Sequence, residues 1–148
     1  MRHENDIGFA VRRLSNLIKR DVEKSKQKLG IEKVQGINGW AIDYFYENRE
    51  KDIFQKDFEN NFSIRPSTAS RILKTMEQKG LIKRESVEND ARLKKITLTK
   101  KAILLHENVI LTINEREKRL RTGIGEEDLK TFFKVINKLS ANMENTYD

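Results

Sequence analysis

The amino-acid sequence predicts a mainly α-helical protein with one small β-hairpin. Its 148 residues are 36% hydrophobic and 36% charged and include a single proline, a composition typical of helices that keep one face in water. Apolar residues recur every three or four positions along most of the chain, and the spacing changes to an alternation only after Gly80. Because the length is that of one domain, we expect a single unit over residues 1–148.

The first predicted helix runs from Asp6 to about Leu29 and has one apolar face. Basic residues, among them Arg12 and Arg13, separate the apolar positions, as in an amphipathic helix. Gly30 is expected to end the helix. The apolar face consists of Ile7, Ala10, Val11, Leu14, Leu17, Ile18 and Val22.

A second predicted helix follows two glycines and is rich in aromatic residues. Gly36 and Gly39 punctuate the approach to it. Aromatic side chains at helical spacing usually form core, and we expect that role here, with ligand stacking as the alternative for two of them. The apolar residues of this helix are Trp40, Ala41, Tyr44 and Phe45, and the two with the alternative role are Trp40 and Tyr44.

A short third helix and a fourth helix are predicted on either side of a tight turn. The third covers about residues Ile53 to Asn61. The dipeptide Arg65-Pro66 opens the fourth, because the fixed φ of proline and its missing N–H suit the first helical position. Gly80 stands at the position expected just past its end. The buried stripe of the fourth helix is predicted at Ile72, Leu73 and Met76.

A two-stranded hairpin is predicted between Gly80 and Thr99. Its tip is the polar run Glu88-Asn89-Asp90, after which Ile96 and Leu98 alternate with polar residues. Thr99 is a suitable N-cap for a fifth helix that extends to about residue 121. The segment is therefore expected to form a β-hairpin with a charged tip, followed by a long helix.

The last predicted helix begins at Glu126, after Gly123 and Gly125 interrupt the fifth. Its first turn is acidic, which suits the partial positive charge of a helix N-terminus. It carries an apolar stripe made of Leu129, Phe132, Phe133, Ile136, Leu139 and Met143.

The positive charge of the chain is concentrated in one segment. Residues Arg65 to Lys101 contain eleven basic and four acidic side chains, whereas the other 111 residues hold nineteen of each. The whole net charge of +7 therefore lies in the fourth helix, the hairpin and the start of the fifth helix. A segment that faces a polyanion is the natural interpretation, and a solvated basic face is the alternative.

A short helix, a turn, a basic helix and a basic hairpin follow one another in the order of a winged helix-turn-helix. An α-helix fits the major groove of B-DNA, and the hairpin tip at Arg92 is narrow enough for an adjacent minor groove. Asp90 is expected to orient Arg92 rather than touch DNA. The predicted DNA-binding residues are Arg65, Ser67, Thr68, Ser70, Arg71, Lys74, Arg84, Asp90, Arg92, Lys94 and Lys95.

Two stretches of the sequence resemble the signature of the MarR family of transcription regulators. The first is STASRILKTMEQKGLIKR, from Ser67 to Arg84, and the second is NDARLKKITLT, from Asn89 to Thr99. The run from Gly123 to Glu127 before the last helix is also similar to the family pattern, so the resemblance spans nearly the whole chain. It implies a sequence-specific DNA-binding regulator, most often a repressor, and a winged helix-turn-helix flanked by N- and C-terminal dimerisation helices.

Two positions depart from the family pattern. Arg65 occupies the expected N-cap of the fourth helix, where the family usually has serine or threonine, so this helix loses a side-chain cap unless Ser63 or a DNA phosphate compensates. Arg65 is thus a candidate phosphate clamp. Ala102 stands where glycine is common, which we expect to change only the start of the fifth helix.

The terminal helices are predicted to form a homodimer. A DNA-binding unit over about residues 34–101 is too small to cover the apolar stripes of residues 1–30 and 103–148, so a partner chain would bury them. The resemblance implies a two-fold dimer on a pseudo-palindromic site; packing of the last helix within its own chain is the alternative. The predicted interface residues are Ile7, Val11, Leu14, Leu129, Phe132, Phe133, Ile136, Leu139 and Met143.

The resemblance also implies control by a small aromatic or anionic effector bound between the dimerisation helices and the DNA-binding unit. The candidate lining residues are Arg12, Arg13, Trp40, Tyr44 and Phe45. No cofactor or metal is predicted: the two histidines, His3 and His106, would need carboxylates to complete a zinc site, and chance placement explains both.

The remaining functional classes find little support in the sequence. The chain has no cysteine, no glycine-rich phosphate loop and no nucleophile elbow, so we expect no enzyme. No stretch approaches the roughly 18 apolar residues of a membrane span, so we expect a cytoplasmic protein without a membrane partner. A stronger alternative to DNA binding is a winged helix used only for protein contacts. The location of the positive charge argues against it.

Overall fold

The computed structural model describes residue 3, residues 5–28 and residues 38–145, with the backbone alone described at residues 26–28 and 38. Over these residues it shows a mainly α-helical protein with one antiparallel hairpin, which confirms the predicted fold class. In chain order the elements are α1 (Ile7–Lys28), α2 (Asn38–Glu47), α3 (Gln55–Phe62), α4 (Pro66–Gln78), β1 (Ile82–Val87), β2 (Asp90–Leu98), α5 (Lys100–Arg121) and α6 (Glu126–Glu144).

Short-range hydrogen bonds fix where the helices begin. The carboxylate of Asp6 accepts a 3.1 Å hydrogen bond from the Phe9 N–H in the first turn of α1. In the same way the Asp57 carboxylate accepts a 2.9 Å bond from the Phe54 N–H at the start of α3. The Thr99 hydroxyl accepts a 3.3 Å bond from the Ala102 N–H, which confirms Thr99 as the N-cap of α5.

The third helix is shorter at its beginning than the periodicity predicts. It starts at Gln55 rather than Ile53, because the carbonyl of Ile53 accepts a 2.8 Å hydrogen bond from the Ile96 N–H of β2. That bond keeps Ile53 out of the helical ladder. Gly39 lies inside α2, whereas Gly30 and Gly36 lie outside the described residues.

One hydrophobic core joins helices α2, α3 and α4 to the β1–β2 hairpin, and we call these elements (residues 38–98) the winged unit. Phe58 of α3 and Leu73 of α4 are fully buried, and the rings of Phe45 and Phe58 stack with centroids 5.4 Å apart. This core holds α4 in place from behind and leaves its outer face to solvent. Its buried residues are Ala41, Ile42, Phe45, Ile53, Phe58, Ala69, Leu73, Met76, Leu81, Ile82, Ile96, Ala102 and Val109.

Gly80 makes the turn from α4 into the hairpin. Its φ of +69° lies in the left-handed region, as predicted for the residue just past a helix end. The Leu81 N–H bonds back to the Met76 carbonyl at 2.9 Å, and the Leu81 carbonyl accepts a 3.1 Å bond from the Thr99 N–H. The end of α4, the hairpin and the start of α5 are therefore linked through the backbone.

The chain divides into two compact units, residues 1–113 and residues 114–148. The first holds α1 to α4, the hairpin and the beginning of α5; the second holds the end of α5 and α6. The single-domain organisation stays a prediction. Among the described residues, no helix has the length and apolar character needed to cross a membrane.

Candidate nucleic-acid interface

Helix α4 is divided into a buried face and an exposed polar face. Ala69, Leu73 and Met76 recur at spacings of four and three residues and are fully buried. The residues between them point to the other side, because successive turns of a helix place positions three and four apart on the same face. Exposed positions on α4 include Ser67, Ser70, Arg71 and Lys74, and Thr68 is half-buried.

The start of α4 has no side-chain cap, as the sequence predicts. Arg65 is the N-cap, with an extended backbone and no side-chain hydrogen bond to the first turn, and Pro66 is the first helical residue. Gln55 of α3 donates a 3.3 Å hydrogen bond to the Pro66 carbonyl, which ties the two helices together at this point. Arg65 is exposed, and the first-turn N–H groups of α4 have no acceptor within the helix.

The hairpin carries an irregularity at its tip that displays Arg92. The two strands pair in register from Ile82 opposite Leu98 to Ser86 opposite Lys94, after which Val87 pairs with Asp90. Residues 91–93 of β2 therefore have no partners on β1 and form a bulge. The Asp90 carboxylate accepts a 2.8 Å hydrogen bond from the Arg92 backbone N–H, which braces the bulge.

The seven basic residues among the predicted DNA contacts fall into two groups. Within the part of the chain that the structure describes, no hydrogen bond or ion pair engages the side chains of the first group: Arg65, Arg71, Lys74, Arg92 and Lys94. The second group is paired internally: Arg84 with Glu77 at 2.7 Å, and Lys95 with Asp52 at 2.6 Å. The side chains of the first group therefore have positive charge available for an external anion.

Comparison with known proteins agrees with this geometry. Residues 48–94, which include α3, α4, β1 and the hairpin tip, match the model of the MarR family. The solved structure of the transcription regulator MarR from Oenococcus oeni PSU-1 is 28% identical, covers 92% of this chain and 99% of its own, and superposes with a TM-score of 0.77. This segment of the chain is therefore similar in sequence to MarR-family regulators, and nearly the whole chain is similar to them in fold.

Two other MarR-like structures are informative about ligands. MepR of S. aureus, solved as a DNA complex, is 26% identical, covers 95% of this chain and 99% of its own, and has a TM-score of 0.81. The heme sensor protein PefR from Streptococcus agalactiae, solved in complex with heme, is 28% identical, covers 95% of each chain and has a TM-score of 0.66. The chain thus has the fold of a MarR-family transcription regulator.

The predicted effector residues of this chain occupy different environments. Arg12, Arg13 and Trp40 are exposed, whereas Phe45 is 3% exposed and belongs to the core. Tyr44 is half-buried, and its ring meets Phe62 edge-on with centroids 5.6 Å apart. Burial, and secondarily the nearby negative charge of Asp57, raises the pKa of Tyr44 above its usual value of 10.0.

The structure shows a contact between α2 and α5 that the sequence did not predict. His106, interpreted as a chance placement, is buried; its Nε2 lies 3.0 Å from the Asp43 carboxylate, and its ring stacks on Tyr46 at 3.7 Å. The Arg49 guanidinium lies 4.2 Å from the Tyr46 ring centroid. Residues 63 positions apart make the polar contact, so no local pattern could have indicated it. Among the described residues, no group of three or more His, Cys, Asp or Glu side chains could hold a metal ion.

Proposed function

We propose that this protein is a homodimeric, sequence-specific regulator of transcription that binds double-stranded DNA. Helix α4 enters the major groove, where Arg71 and the hydroxyls near it read base edges. The hairpin forms the wing, whose tip brings Arg92 to the adjacent minor groove. The protein acts as a repressor in the cytoplasm, on a pseudo-palindromic operator.

The observation that carries the proposal is the placement of the unengaged cations. Arg65, Arg71 and Lys74 belong to the outer side of α4, and Arg92 and Lys94 belong to the tip of the wing. All are exposed, and the core behind α4 prevents the helix from turning them inward. An exposed cation without an internal carboxylate is free to neutralise a phosphate, which is the largest sequence-independent contribution to protein–DNA affinity. The DNA-bound structure of MepR supports the same use of the fold.

The terminal helices support the homodimer. No described residue of α6 is buried; Phe132, Phe133 and Met143 are 48%, 46% and 60% exposed. Ile7 on α1 is likewise 58% exposed. The other proposed interface residues on these helices are exposed at Val11 and Leu14 and half-buried at Leu129, Ile136 and Leu139. Apolar surface of this kind is typical of faces that a partner chain covers.

Selection of bound duplexes from a random pool tests sequence-specific binding directly. We expect two related half-sites about one helical turn apart, close to 34 Å. The reason is that α4, the recognition helix, of each protomer in a two-fold dimer enters one major groove. Enrichment of no sequence, with no binding of mixed-sequence duplex at low salt, would instead favour a winged helix used for protein contacts.

Variants of two arginines separate base reading from phosphate binding. Arg71→Ala should relax the preference at one base pair in each half-site by about 1 to 3 kcal/mol, whereas Arg92→Ala should weaken binding to all duplexes alike. Lys138→Ala, which removes an exposed cation of α6, is the matched control and should change neither property. The assignment fails if selections with both arginine variants return the unchanged consensus.

A small aromatic or anionic effector that releases the DNA is the remaining part of the proposal. The heme complex of PefR makes heme a suitable first probe. Trp40 is the only tryptophan of the chain and is 44% exposed, so its fluorescence would report a planar ligand bound near α2. Quenching by heme together with weaker DNA binding is the expected result; unchanged fluorescence and unchanged DNA affinity would exclude heme.

A further inference from the structure

Two of the basic residues in the DNA-facing segment are held by carboxylates of the same chain. The Nε and Nη2 groups of Arg84, on β1, both donate to Glu77 Oε2 of α4, at 3.1 and 2.7 Å. The Arg84 side chain is only 24% exposed, and a guanidinium bound through two N–H groups has a defined orientation. This ion pair connects the last turn of the recognition helix to the first strand of the wing.

The second ion pair holds the other strand of the wing. Lys95 Nζ lies 2.6 Å from the Asp52 carboxylate, in the segment that precedes α3. The neighbouring residues are joined as well, because the Ile96 N–H donates a 2.8 Å hydrogen bond to the Ile53 carbonyl. The wing is therefore attached on one side to α4 and on the other to the segment before α3.

We propose that Arg84 and Lys95 are positioning residues that fix the angle between the wing and the recognition helix, and that they do not neutralise DNA phosphates. This inference rests on the proposed function, and it divides the seven basic residues among the predicted DNA-binding residues into two classes. Arg65, Arg71, Lys74, Arg92 and Lys94 contact DNA, whereas Arg84 and Lys95 act through Glu77 and Asp52.

The physical reason is that α4 and the wing tip must reach two grooves at once. An error in the angle between them is multiplied along the wing, which extends from Ile82 and Leu98 out to the bulge at residues 91–93. The Arg84–Glu77 pair, with its charged atoms 2.7 Å apart, has no net charge to attract a phosphate. Rotating it toward DNA would break both of its hydrogen bonds to Glu77.

Glu77→Gln and Asp52→Asn give the sharpest test, because they make the protein more positive. If charge alone decided affinity, removing a carboxylate next to the DNA-facing surface would tighten binding. The positioning role predicts the opposite: about two- to fivefold weaker binding to a labelled duplex carrying the selected site, in line with the modest strength of exposed ion pairs. Glu88→Gln makes the same charge change at the exposed wing turn and should bind as tightly as the unmodified protein or more tightly.

Salt dependence and a charge swap distinguish positioning from direct contact at Arg84. Loss of one phosphate contact makes the negative slope of log affinity against log salt less steep by about 0.9, as we expect for Arg92→Gln. Arg84→Gln should weaken binding without changing the slope. Glu77→Arg combined with Arg84→Glu should recover affinity to within about twofold, because the swap re-forms the ion pair with its two charges exchanged.

The inference is overturned if Glu77→Gln binds as tightly as Glu88→Gln, or if Arg84→Gln makes the slope less steep as Arg92→Gln does. Hydrogen exchange of the wing amides gives a readout that needs no DNA: Glu77→Gln should accelerate exchange in β1, and Glu88→Gln should not. Faster exchange in a protein that binds no duplex would refute the proposed function and leave the structural coupling standing. Unchanged exchange in a protein that binds DNA would refute the positioning role alone.

Discussion

Helices α4 and α6 are both amphipathic in sequence, yet the chain buries only one of them. In α4, Ala69, Leu73 and Met76 are fully buried, whereas no described residue of α6 is buried. The apolar face of α4 is covered by the rest of the winged unit, and its polar face is exposed, as the proposed binding to DNA requires. The apolar face of α6 is exposed, as the proposed homodimer requires. One pattern thus serves two purposes, and burial distinguishes them.

The largest expected effect is on the buried side of this comparison. Leu73→Ala should lower the free energy of unfolding by about 2 to 5 kcal/mol, because it leaves a cavity behind the recognition helix. Urea unfolding at two protein concentrations should give the same loss at both. Lys74→Ala, at the neighbouring exposed position, is the control and should change stability by less than about 0.5 kcal/mol. Equal effects of the two substitutions would mean that α4 is not held by this core.

Phe132→Ala tests the open side of the comparison. We expect the dissociation constant of the proposed dimer to rise at least tenfold, about 1.4 kcal/mol or more. The reason is that the substitution removes an aromatic ring that the partner would bury. Sedimentation equilibrium measures this constant. Lys134→Ala, an exposed position on the same helix, should leave it unchanged. If the unmodified protein is monomeric at every concentration, α6 does not pack against a second chain.

His106 sharpens the comparison by testing how the start of α5 is tied to the winged unit. His106→Ala should cost about 1 to 2 kcal/mol, from the lost hydrogen bond to Asp43 and the lost stack on Tyr46. His106→Phe, which keeps a ring at this position, should cost less. Thermal unfolding of both variants, with the exposed His3→Ala as control, gives the measurement. If neither variant loses stability, the contact of His106 with Asp43 and Tyr46 does not stabilise the fold.

The smallest expected effect concerns Tyr44 and alkaline pH. Its pKa is raised in the folded protein, so the unfolded chain ionises first as the pH rises through about 10. The contribution of Tyr44 to stability is therefore intact below pH 10 and is lost above it. Tyr44→Phe should remove part of the alkaline destabilisation, measured as the difference between urea midpoints at about pH 9 and pH 11. If the unmodified protein and Tyr44→Phe lose the same stability between these two pH values, the raised pKa of Tyr44 is contradicted.

The helices and the hairpin could be predicted because their signals are local. Asp6, Pro66, Gly80 and Thr99 mark element boundaries through interactions with residues close to them in sequence, and each stands at the boundary predicted. The start of α3 was misplaced because the interaction that decides it is distant. Ile53 reads as helical by periodicity, but its carbonyl bonds to Ile96, which lies 43 positions further along the chain.

The candidate site follows the same division. Charge and motif identified the segment and its basic residues, but they could not show which cations are already neutralised. Asp52 and Lys95 are as far apart in sequence as Ile53 and Ile96, and only the fold brings them together. For the same reason Phe45, predicted both as core and as a candidate effector contact, is seen to be a core residue once the structure places it against Phe58.

The salt dependence of binding to duplex DNA tests the central claim most directly. The affinity of the unmodified protein for a labelled duplex, measured by fluorescence anisotropy between about 50 and 200 mM salt, should fall along a straight line in log affinity against log salt. The magnitude of its negative slope should decrease by about 0.9 for each phosphate-binding cation removed at Arg65, Lys74, Arg92 or Lys94. An affinity that does not change with salt would contradict DNA binding by this surface.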